Sequence, residues 1–196
     1  MPPEFRPETL RRFAAVAALA VAAMAGACND NIGIATRNPN ADQAYTVYAL
    51  SGSELSAPNA MSFSTRTVVR VDGAFAFDIA FDINKDGNAV ILPVAQVGTP
   101  VGGAPLIGLQ RSTKAYDELT EAPRRGYVFD SSMVVAPRGT LVMQAQNGLC
   151  AAYLASYIFV KITIDSVDVP GRAIFGRTLI NSNCGSRQLT PGIPTF

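Results

Sequence analysis

From Phe75 to Ile83 every second residue is large and apolar. Phe75, Phe77, Ile79, Phe81 and Ile83 alternate with Ala76, Asp78, Ala80 and Asp82. A helix would scatter this set around its whole circumference, whereas a strand collects it on one face. Residues 74–83 are therefore read as a half-buried strand with its aromatic face on a core. Asn84-Lys85-Asp86-Gly87 follows, then a second β-prone run, NAVILPVAQV, at 88–97. Asp-Gly between two such runs signals a hairpin. Pro93 has no amide hydrogen for a ladder, so the second strand is expected at an edge or broken there.

The same reading extends along the chain. Further strands are expected at 44–50, 62–71, 127–135, 140–146, 157–169 and 173–181. Within 157–169, Ile158, Val160, Ile162 and Ile164 share one face, and Val167 and Val169 take the opposite parity. That switch at Asp165-Ser166 predicts a β-bulge or bend. A helical turn is expected at 149–157 and a short helix at 113–122, ending before Pro123. Residues 98–126, Gly/Pro-rich and then polar, read as a long irregular connection. So long a loop in a compact domain points to a functional surface or a mobile segment. Short strands with regularly spaced turns predict an all-β fold, an antiparallel sandwich or barrel of about 7–9 strands.

Charge and composition narrow the function classes. The chain has 196 residues, 48% hydrophobic and 16% charged, a balance that suits a folded domain. Arg6, Arg11 and Arg12 stand against Glu4 and Glu8 in the first 27 residues. Of 16 basic and 15 acidic residues, the remainder therefore holds equal numbers and no net charge. Arg124-Arg125 is its one basic doublet, which leaves nothing to neutralise a phosphate backbone, and nucleic acid is excluded as a partner. Histidine is absent. Ser-His-Asp and Cys-His catalysis and His-ligated zinc are thereby excluded for this chain.

The N-terminus carries an address. A leader ending in Arg11-Arg12 precedes Phe13–Ala27, FAAVAALAVAAMAGA, in which no side chain is polar. As a helix this run would span about 22 Å, short of the roughly 30 Å hydrocarbon layer. A basic leader, a short apolar run and small residues at its end make a secretory signal. Ala25-Gly26-Ala27-Cys28 resembles a lipobox, although Ala25 stands where that pattern prefers Leu; the Ala-x-Ala ending also suits an ordinary signal peptidase. Residues 1–27 and Cys28 thus look like the signal peptide and lipid-bearing first residue of a bacterial envelope lipoprotein. The resemblance implies acylation of Cys28, a flexible tether over 28–43 and a single β-rich domain over 44–196. It places the domain on the periplasmic or outer face of a bacterial membrane, with Asn29 favouring the outer membrane. Three cysteines are present, and thioether formation at Cys28 accounts for the odd one. Cys150 and Cys184 are then free to pair in an oxidising compartment.

Few residues form chemical constellations. Asp82-x-Asn84-x-Asp86-Gly87 matches the first half of a calcium loop, but position twelve is Pro93 instead of Glu, and strands flank it where helices belong. A hairpin with polar turn residues is the simpler account of Asp82, Asn84 and Asp86. Asp78 and Asp82, on one strand face, would lie about 13 Å apart, too far for the roughly 5–9.5 Å of a glycosidase pair. Ser131, Ser132 and Ser182 lack a base, and there is no Gly-x-Ser-x-Gly elbow. Lys85, Lys114 and Lys161 are the only lysines for Ser-Lys chemistry. The expected function is a non-catalytic binding or structural module, anchored by lipid and serving another envelope protein or complex, with no cofactor. The alternatives are a carboxylate-based envelope hydrolase and a calcium- or carbohydrate-binding β module.

Overall fold

The hairpin legible at Asn84–Gly87 forms as the sequence requires. Strand β4 (Ile79–Ile83) pairs antiparallel with β5 (Ala89–Pro93), Ile83 opposite Ala89. Asn84 closes the turn, its Oδ1 accepting from the amides of Asp86 at 3.0 Å and Asn88 at 2.9 Å. Gly87 adopts φ 77°, which its lack of a Cβ makes inexpensive. This computed structural model describes residues 38–74, 76–98, 103–129, 131–150 and 155–194. Residues 1–27, Cys28 and Phe75 lie outside the described residues.

Eleven strands occur among the described residues, more than the sequence suggests because several are only two or three residues long. The others are β1 (Ala41–Tyr48), β2 (Ala60–Ser62), β3 (Thr67–Val69), β6 (Ile107–Arg111), β7 (Val128–Phe129), β8 (Met133–Val135), β9 (Thr140–Gln146), β10 (Tyr157–Asp168) and β11 (Ala173–Asn181). They form two antiparallel sheets. Sheet I has the order β1-β11-β10-β9-β6-β7, and sheet II the order β3-β2-β4-β5-β8. Neither closes into a barrel; the fold is a sandwich. One apolar core joins the two inner faces, with Phe81, Ile79 and Ile91 from sheet II and Leu141, Ile162 and Ile174 from sheet I. The Tyr45 and Phe81 rings meet across it at 5.5 Å.

The phase switch in the longest run is a bulge. The β10–β11 register shifts between Ile164 and Ser166, and Asp165 is the extra residue. Before the bulge Ile158, Val160, Ile162 and Ile164 face the core; after it Val167 does, and Val169 is exposed. Pro93 ends β5, where a single helical turn, Val94–Val97, begins. β5 is nevertheless interior, since β8 pairs with Ala89–Ile91 and stops short of the proline.

Several segments depart from the expected pattern. The β4 ladder begins at Ile79; the Asp78 backbone still bonds Met61 and Val94, each at 2.9 Å, while its carboxylate accepts from the Phe63 amide at 2.6 Å. The 62–71 run holds only the last residue of β2, then a turn in which Arg66 takes φ 57°, then β3. The 127–135 run divides between sheets, β7 on sheet I and β8 on sheet II. Residues 113–122 make a turn, closed by the Leu119 amide on the Ala115 carbonyl, and Gly148–Cys150 make a 3-10 turn. Ala41–Gln43, polar enough to read as tether, begin β1. They are folded in because Asn38 and Asn183 exchange side-chain-to-backbone bonds of 3.1 and 2.8 Å, and Asn40 and Gly192 exchange backbone bonds of 2.8 and 2.9 Å.

The outer edge of β1 is short. Even-numbered residues aim their backbone groups away from β11: Asn40 bonds Gly192, and Tyr48 donates to the Pro58 carbonyl at 2.8 Å. Between these brackets only Asp42, Ala44 and Thr46 offer an open edge.

Candidate functional site

The two sheets treat their outer faces differently. On sheet I the outward residues of β9, β10 and β11 include Val142, Phe159, Lys161 and Leu179, all buried. A layer of chain roofs them. Tyr116, Leu119 and Ala122 come from one segment and Leu189 from the C-terminal strap, and with the sheet they make a second apolar cluster. The strap and the turn are joined by the Leu189 amide on Thr120 and the Ala122 amide on Arg187, at 2.7 and 2.8 Å. Residues 98–126, expected as an irregular loop, thus contain β6 and most of this roof.

Lys161 sits under the roof at 3% exposure. Its ammonium donates to the carbonyls of Tyr116 at 2.8 Å and Leu119 at 3.0 Å. It also lies 4.4 Å from the centre of the Tyr116 ring, with the Arg177 guanidinium carbon 4.6 Å from the same ring. Burial lowers the Lys161 pKa, and the nearby carboxylates of Asp42 and Asp117 oppose that shift. The Tyr116 hydroxyl donates to Asp42 at 3.1 Å; burial first, and then this carboxylate, raise its pKa. Arg177 forms a two-pronged pair with the exposed Asp117, at 3.1 and 3.2 Å, which lowers the Asp117 pKa. A lysine that caps free carbonyls at the end of a helical turn holds structure. This one fixes the roof.

On sheet II the outward positions are covered only in part. Cross-strand register puts Val69, Ala60, Ala80 and Leu92 in one outward row and Asp82, Val90 and Val134 in the next. The solvated face of an antiparallel sheet ordinarily carries polar residues. Here Val69, Val90 and Leu92 are half-buried and Val134 is 38% exposed, with Ala60 and Ala80 fully buried among them. The one carboxylate, Asp82, is occupied by Arg172 at 2.9 Å and by the Ser51 hydroxyl at 2.8 Å. This row is the candidate functional surface.

The carboxylates and serines singled out in the sequence are not brought together. Asp82 faces Arg172, whose positive charge stands where a calcium ion would need room, and Asn84 spends its oxygen on its own hairpin. Asp86 is exposed in the turn. Among the described residues no three acidic or cysteine side chains cluster as metal ligands. Asp78 is also no solvated surface charge: burial raises its pKa to about 6, against the lowering effect of the Phe63 amide. The Ser182 hydroxyl accepts from the Arg66 guanidinium, and Ser131 and Ser132 are exposed. Cys150 and Cys184 are joined, with Cα atoms 5.5 Å apart. A cavity of about 310 Å³ opens between Gly103–Pro105, Gln146–Gly148 and Ser156; its lining holds no titratable side chain. Sequence reasoning missed the outward Val90–Leu92 row, although NAVILPVAQV is apolar at both parities and so announces two apolar faces.

Compared with protein-family models, curated proteins and solved structures, the chain matches none.

Proposed function

We propose that this chain is a lipid-anchored, non-catalytic module of a bacterial envelope, which docks a partner protein through the outer face of sheet II. The observation that carries the docking face is the partly open set Val90, Leu92 and Val134, apolar where an antiparallel sheet is normally polar. An apolar patch rimmed by polar residues is the usual form of a protein interface. The anchor rests on the Ala25–Cys28 sequence and gains support from the Cys150–Cys184 bond, which leaves Cys28 as the odd cysteine. A disulfide also suits an oxidising compartment.

Two measurements test the two halves separately. A photo-crosslinking side chain placed at Leu92 or Val134 in cells should give one discrete adduct, and the same group at exposed Thr120 on the roof should give none. Equal labelling from both faces, or none from Leu92 and Val134, removes the docking face. Intact mass of protein purified from native membranes should show loss of residues 1–27 and addition of acyl chains at Cys28. A Cys28→Ser chain that remains membrane-bound removes the anchor.

A further inference from the structure

We draw no further inference here: the strongest candidate, the open edge of β1 at Asp42, Ala44 and Thr46 between the Gly192 and Pro58 contacts, carries nothing because nothing in the structure shows what covers it.

Discussion

The outer faces of the two sheets solve one problem in opposite ways. Sheet I carries apolar side chains outward and buries them under its own chain, using Tyr116, Leu119 and Leu189 as the lining of a roof. Sheet II also carries apolar side chains outward and leaves Val90, Leu92 and Val134 partly open. The difference follows from chain allocation. The segments after β6 and after β11 lie across sheet I, whereas the β4–β5 connection of sheet II is a tight hairpin. A covered apolar face contributes to folding, and an open one is available for association.

The comparison is broken most severely on the roofed side. Phe159→Ala removes a buried ring from beneath the roof and should cost about 3–5 kcal/mol, read as a lower urea midpoint with unchanged slope. Val134→Ser, at an exposed site on sheet II, should stay within about 0.5 kcal/mol; equal losses would mean that the faces are equally built in. Next in size is reduction of the disulfide. It closes a sequence separation of 34 residues, and Cys150→Ser with Cys184→Ser should cost about 3–4 kcal/mol in the same titration.

Asp78 sharpens the contrast in the other direction. Burial raises its carboxyl from the ordinary 3.8 to about 6, so the folded state favours the protonated form. Its contribution is fully present below about pH 3.8 and is lost as the pH rises towards 6. Asp78→Asn should therefore stabilise the domain at pH 7, by about 1–2 kcal/mol once partial solvent access is discounted. The gain should vanish below pH 4; thermal melts at pH 3.5 and 7 decide it, and a pH-independent difference would refute the buried-carboxyl account. The smallest effect belongs to the exposed Arg177–Asp117 pair on the roof. Asp117→Asn should leave the melting temperature unchanged within error at moderate salt.

Much of this fold is legible in the sequence, and the failures have physical causes. The β4–β5 hairpin and the β10 bulge are readable because alternation and turn chemistry act locally. The disulfide follows from cysteine arithmetic. β6 was hidden because Gly108 interrupts its apolar pattern. The glycine is there because a Cβ would meet the Tyr127 and Phe129 side chains at 2.8 Å, a long-range packing demand with no local signal. Phe75 to Asp78 read as strand, yet Asp78 is claimed by the Phe63 amide, 15 residues away. The burial of Lys161 has no local signal, since it alternates with core residues and nothing nearby reveals that Tyr116 and Leu119 fold over it. The open face of sheet II was half legible, since β5 is apolar at both parities, but which strands flank it is decided only by topology.

The clasp between Asn40 and Gly192 places the first and last described stretches of the domain at one corner. Joining those two stretches by a short linker would enclose almost no new loop, so the entropy of closure is small. The covalent order of the strands is thus nearly cyclic, and the exposed Gly52–Ser56 bend, with Leu55 at 93% exposure, is the natural place to open the circle. A chain rewired in this way would keep every strand neighbour it has now.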